Sequence, residues 1–207
     1  MYRPVSFAVD DVPVLYEFVR DNPFATIAVA IAGTIHFAYA PVLLDGNGAK
    51  GVARFHLALR NPVSAIPDAT PVTFSFLGPH AYISSDWYRT LVTVPTWNYM
   101  AVQASGSARR LSPDELRQLL VDLSAAEESH LLPKPPWTMD KVPETRVAAL
   151  MGAIVGFEVA LDTLEGKFKL SQDKNPEDVA GVIAALEETG VASNLAVAAA
   201  MRKQVRE

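Results

Sequence analysis

Residues 78–99 read Gly78-Pro79-His80-Ala81-Tyr82-Ile83-Ser84, then Trp87-Tyr88, then Val94-Pro95-Thr96-Trp97-Asn98-Tyr99. Two of the three Trp, three of the six Tyr and one of the four His fall in this short run. A large ring with a polar tip needs an apolar bed for the ring and a hydrogen-bond partner for the tip. The run lies between two strand-like stretches, and so it suggests a wall on which a flat ligand stacks. The competing reading is an aromatic patch of a core or of a subunit interface, where such residues also concentrate.

Outward from this run, the chain reads mainly as strands. Ala25 to Ala32, Ile35 to Leu44, Val52 to Leu57, Val72 to Leu77 and Asn98 to Leu111 are rich in apolar and β-branched residues. Val155 to Leu161 alternates with period two. Asp45-Gly46-Asn47-Gly48 predicts a hairpin turn, because Gly and Asn tolerate positive φ. Helices are predicted where capping signals precede an apolar stripe. Asp10-Asp11 stand before Val14, Leu15, Phe18 and Val19. Ser112-Pro113-Asp114-Glu115 forms a capping box, and Asn175-Pro176-Glu177-Asp178 repeats the device. Glu144 to Met151 and an alanine-rich segment, Asn194 to Arg206, complete the helices, and Leu131 to Pro143 is a proline-rich connection. Successive hairpins imply antiparallel pairing, and six or seven strands predict a closed barrel, since closure removes exposed edges.

The chain has 207 residues, of which 50% are hydrophobic and 20% charged, as in a globular protein with a sizeable core. It contains no Cys, which excludes disulfides, thiolate metal sites and a Cys nucleophile. Net charge is −5, the basic residues are scattered, and no helix-turn-helix signature is present, so direct DNA binding is not favoured. The N-terminus lacks the basic start and apolar run of a signal peptide, and Ile27 to Ala32 is too short to span a bilayer. A cytoplasmic protein with no membrane association is expected.

Gly46, Gly48 and Gly51 match the spacing G-x-G-x-x-G, but a strand rather than a helix follows them. A dinucleotide site needs the helix N-terminus at that point. His36, His56, His80 and His130 share no metal-ligand spacing, and no metal is expected. In Gly166-Lys167-Phe168-Lys169-Leu170-Ser171-Gln172, the two lysines share one side of an extended chain. They suit a phosphate or the polar edge of a ring through charge-assisted hydrogen bonds.

Met1-Tyr2-Arg3-Pro4, Asn22-Pro23-Phe24-Ala25-Thr26, Pro41 to Asp45, Asn61-Pro62, Gly78 to Tyr88, Val94 to Tyr99 and Gly166 to Gln172 occur together in this order. In these motifs the chain resembles the FMN-binding negative transcriptional regulator (PaiB-like) family, from residue 1 to about 190. The resemblance implies an α+β, mainly β fold: an antiparallel split β-barrel of the flavin-reductase type with peripheral helices. Residues 1–190 would form a single FMN-binding split-barrel domain and 191–207 a C-terminal helical extension. It implies a homodimer with FMN at the subunit interface. The candidate cofactor-binding residues are His56, His80, Tyr82, Ser84, Thr96, Trp97, Asn98, Lys169, Ser171 and Gln172. The chain departs from the family pattern at Tyr39, where a His is common, at Leu59, where an Arg is common, and at Asp173, where an Asn is common.

The implied role is flavin-linked negative regulation of gene expression, acting through a partner or through metabolism. An FMN-dependent oxidoreductase or flavin reductase is the alternative. A split-barrel dimer that has lost flavin binding is the third reading.

Overall fold

The computed structural model describes residues 1–46, 51–91 and 93–206. In chain order the elements are β1 (Ala8–Val9), α1 (Val12–Asp21), β2 (Phe24–Ile31), β3 (Thr34–Pro41), β4 (Leu43–Asp45), β5 (Val52–Ala58), β6 (Pro71–Ile83), β7 (Thr96–Arg110), α2 (Pro113–Ser129), α3 (Glu144–Met151), β8 (Ile154–Lys169), α4 (Pro176–Glu188) and α5 (Ala192–Arg206). Hydrogen-bonded neighbours run β3-β2-β6-β7-β8-β5-β4, and β1 pairs with β8. The fold is the expected mainly β, antiparallel one with peripheral helices. The expectation of a closed barrel is corrected: among the described residues the pairings end on β3 and β4. Strand count alone does not close a sheet. Asn47 and Gly48 of the expected hairpin turn lie outside the described residues, while Leu43↔Arg54 and Asp45↔Val52 pair antiparallel on its two sides.

Two strands run much further than their sequence pattern predicts. β6 continues from Leu77 through Gly78-Pro79 to Ile83. A proline lacks a donor but fits a strand where no ladder bond is needed at its nitrogen. β8 continues from Leu161 to Lys169 through Gly166, which pairs with Val9. A Cβ at Gly166 would stand 2.4 Å from Leu15 Cδ2, so the glycine permits the close approach of α1 and β1 rather than ending the strand.

Contacts divide the chain into two compact units. One comprises Met1–Phe18, Leu77–Gln103 and Glu165–Glu207; the other comprises Val19–Phe76 and Ala104–Leu164. The second unit is built on Phe55, Phe74, Phe76 and Phe157, all fully buried. Phe55 lies 5.4 Å from Phe157 in a stacked arrangement and 5.5 Å from Phe74 edge-on. Each such ring contributes roughly 1.5–3 kcal/mol on burial. In the same unit α2 lays Leu116, Leu119 and Leu123 into a cluster with Leu111. Its capping box is formed as expected, with Ser112 Oγ accepting from Glu115 N and Glu115 Oε2 accepting from Ser112 N.

In the first unit Phe18 of α1 meets Phe168 of β8 at 5.2 Å. α4 and α5 pack through Val182, Leu186, Val197, Ala198 and Met201, all fully buried. Arg202 on α5 ties back to Glu187 on α4 at 2.8 Å.

Candidate functional site

Alternation along the strands of the first unit sorts the candidate residues. On β6, Ala81 and Ile83 are buried, and His80 and Tyr82, which alternate with them, face outward. On β7, Asn98 is fully buried while its neighbour Trp97 is 52% exposed. Trp97 stands 5.8 Å from the His80 ring and 6.2 Å from the Tyr82 ring, the latter edge-on. Tyr82 is 49% exposed. Three π systems therefore form one solvent-facing platform.

Thr96 and Asn98 alternate with Trp97 and so project to the opposite face of β7. They line a small cavity of about 220 Å³ with Lys169 and Ser171. The Lys169 ammonium donates to Thr96 Oγ1 and to Trp97 O, the latter at 2.7 Å. Among the described residues no carboxylate lies in ion-pair contact with Lys169. Burial lowers its pKa, an effect partly opposed by the nearby Asp173 carboxylate. Lys167, two residues earlier, is buried between rings instead: its ammonium lies 5.3 Å from the centroids of both Tyr2 and Tyr99.

Four candidates are occupied in hydrogen bonds within their own unit. Asn98 Nδ2 donates to Ser171 Oγ at 2.9 Å and to Met201 Sδ at 3.5 Å. Gln172 closes its own turn, accepting from Leu170 N at 2.7 Å and donating to Phe168 O at 2.6 Å. Ser84 caps the single 3₁₀ turn Ser85–Trp87 by accepting from Asp86 N. His56 belongs to the second unit, on β5. Its Nδ1 is buried without a hydrogen-bond partner, and burial lowers its pKa.

The loop after Ser84 is held from α4. Asp178, 2% exposed, accepts from Arg89 N at 2.7 Å, Thr90 N at 2.9 Å and Thr90 Oγ1 at 2.7 Å. Hydrogen bonds from the Thr90 hydroxyl and backbone hold its carboxyl below the usual range. Gly181 gives the loop room, since a Cβ there would sit 2.5 Å from Trp87 O. The loop delivers a residue that sequence reasoning passed over. Tyr88 lines the cavity, is 8% exposed, and its hydroxyl has no hydrogen-bond partner. Its signal was the Trp87-Tyr88 pair, read there only as ring area.

These features fit a flavin phosphate ester in parts. The platform offers face area for a fused ring, and a lysine without an ionic partner offers charge. The cavity lies below the roughly 300–1,000 Å³ of pockets that enclose a drug-sized ligand, so it admits a group and not a whole cofactor.

Comparisons with known proteins agree on the family. Residues 1–163 match the family model described as "Putative FMN-binding domain". The chain is 33% identical over 188 residues to "Protease synthase and sporulation protein PAI 2" of Bacillus subtilis, an alignment covering 90% of this chain and 89% of that protein. It is 29% identical to an uncharacterized protein of Emericella nidulans, over 99% of this chain and 97% of that one. Among solved structures it is similar to the FAD and heme binding protein from Mycobacterium smegmatis, with TM-score 0.58 and 16% identity over 84% of this chain and 78% of that one. The flavocytochrome Anf3 from Azotobacter vinelandii gives TM-score 0.58 and 13% identity over 87% and 78%. At such identities the two structures speak for the fold, a split barrel. The matched model and the Bacillus relative place this chain in the PaiB-like family of FMN-binding-domain proteins.

Proposed function

We propose that the isoalloxazine of FMN lies on the His80–Tyr82–Trp97 platform, and that its phosphate reaches past the start of β7 to Thr96 and Lys169 on the other face of that strand. The carrying observation is the set of three rings on one exposed face, with centroid distances of 5.8 and 6.2 Å about Trp97. A half-exposed Trp flanked by two further rings offers stacking area that costs little to dehydrate. Ser84, Asn98, Ser171 and Gln172 hold the loops that present these groups, and His56 is a candidate contact on its own unit. Bound FMN supplies electron or hydride transfer. The chain's residues orient the ring and exclude water from one of its faces.

The protein acts as a homodimer. The support is β3, where Ile35, Phe37 and Tyr39 are all exposed at alternate positions, with exposed Phe24 on the neighbouring strand. An outward apolar row on an edge strand fits a second copy. The Bacillus relative is named a protease synthase and sporulation protein. We carry a regulatory role from it to this chain, acting in the cytoplasm through a flavin-dependent partner contact rather than base readout. The net charge of −5 supports that choice. Among the described residues no helix is long and apolar enough to cross a membrane.

The test is FMN titration of the purified protein, followed by quenching of flavin fluorescence. Saturation at one FMN per chain is expected. A protein that leaves flavin fluorescence unchanged across the titration overturns the reading.

A further inference from the structure

α4 and α5 carry no residue of the flavin platform, yet they frame an open cleft of about 530 Å³. That volume lies within the roughly 300–1,000 Å³ of sites that hold a small organic ligand. α4 gives one wall, α5 the second, and the segment after β8 the third, all within the first unit. Pro176, Val179, Ala180 and Ile183 recur at spacings of three and four, so they share one face of α4. Val179 and Ile183 are nearly buried and form the floor, while Pro176 and Ala180 are open to solvent. Asp178 and Gly181, which meet the loop after Ser84, stand on the other face of the helix. The cleft is therefore separate from the contacts that hold that loop.

The rim of the cleft carries one sign of charge. Among the described residues its charged side chains are Lys174 and Arg202, both exposed. Their acidic partners, Asp173 and Glu187, do not line it. Neither pair exhausts its cation. Arg202 gives Nε and Nη2 to Glu187, and its Nη1 has no partner among the described residues. Lys174 donates to Asp173, and an ammonium carries three donors. Gln204 adds a side-chain amide that makes no hydrogen bond among the described residues. An apolar floor gives nothing to a ligand with polar groups along its body, because each such group would lose its water unpaid. Donors at the rim with no acid beside them select an anionic head.

We propose that the α4–α5 cleft binds a medium-chain monocarboxylate, its aliphatic body along Val179 and Ile183 and its carboxylate on Lys174 and Arg202. A single negative charge suits the rim, since Asp173 and Glu187 already meet part of the charge of each cation. The inference does not rest on the placement of the flavin.

The experiment titrates octanoate, below its micelle-forming concentration, into the full flavin-free chain by isothermal calorimetry. Saturation at one octanoate per chain is expected. Acetate, which has the head without the chain, binds at least tenfold more weakly, since each buried methylene contributes about 0.8 kcal/mol. Octanol, which has the chain without the charge, binds about fivefold more weakly, as for the loss of exposed ion pairs. The double variant Lys174→Gln with Arg202→Gln loses that fivefold preference and binds octanol as the wild type does. Ala180→Phe adds bulk from an exposed position and weakens both ligands. Octanol binding as tightly as octanoate to wild type overturns the proposal, and so does octanoate uptake that never saturates. Both readouts use the unaltered chain and need no variant to fold. Displacement of octanoate by FMN, one for one, gives the cleft to the flavin and also overturns it. A chain that takes octanoate in this pattern but binds no FMN removes the flavin placement and leaves the cleft standing.

Discussion

Asn98 on β7 and Ser171, just beyond β8, hydrogen-bond side chain to side chain at 2.9 Å, and both are almost wholly buried. Ser171 makes this bond from a left-handed backbone, with φ at 63°. That conformation costs a non-glycine residue roughly 1–2 kcal/mol, and the bond offsets it. Ser171→Ala keeps the strain and leaves the Asn98 amide with only Met201 Sδ, so urea denaturation should show a loss of about 1–3 kcal/mol. Ser171→Gly loses the same bond but relieves the strain, and should be the less destabilised of the two. An equal loss in both variants contradicts this account.

Trp97 and Lys169 should separate binding from stability. Trp97 is half exposed and on the solvent side of β7, so Trp97→Ala removes stacking area without opening the core. Stacking on an aromatic side chain is worth about 1–3 kcal/mol, so FMN affinity should fall at least fivefold while the melting temperature barely moves. Lys169→Ala removes an ammonium that also donates to Thr96 Oγ1 and Trp97 O, and so should weaken FMN and lower stability slightly. Unchanged FMN affinity in both folded variants would falsify the placement of the ring.

The features legible in the sequence are those written locally. Ser112 and Asn175 announce α2 and α4, because a cap, a proline and an acid within four residues settle a helix start without help from the rest of the chain. The aromatic run announced the platform, since His80 and Tyr82 stand two apart on one strand. The reach of β8 was hidden, because its period-two alternation stops at Leu161 and the close approach of Leu15 and Val9 that Gly166 admits leaves no local mark. Openness of the sheet was hidden too: whether β3 and β4 meet depends on register summed over every intervening pair. Tyr88 was read for its ring, since the isolation of its hydroxyl arises only once α4, through Asp178, has fixed the loop.

Acid should weaken the second unit through Glu115. The Arg109 side chain, then the backbone and hydroxyl of Ser112, pull its pKa from 4.5 to about 2. The folded value lies below the unfolded one, so this contribution is fully present above about pH 4.5 and is lost as pH falls toward 2. Glu115→Gln removes the linkage. Urea midpoints measured from pH 6 to pH 2.5 should decline less steeply in the variant, and the difference should shrink in high salt, since the pair is exposed. Parallel slopes in the two proteins would remove Glu115 as a contributor.

Phe37 offers the sharpest test of the dimer. On β3 it is 60% exposed, and its cross-strand partner on β2 is Ala28, too small to cover it. Ile35 opposite Ala30 and Tyr39 opposite Thr26 repeat the arrangement, so one row of large side chains faces outward over a row of small ones. A row buried against a second copy contributes roughly 1.5–3 kcal/mol per large side chain. Phe37→Glu places like charges against each other across a two-fold interface while touching little of its own unit. Sedimentation velocity should then report a monomer for the variant and a dimer for the wild type, with the chemical denaturation midpoint of the isolated fold preserved at low protein concentration. A variant that stays dimeric moves the interface away from β3, and a wild type that is monomeric at micromolar concentration removes the dimer altogether.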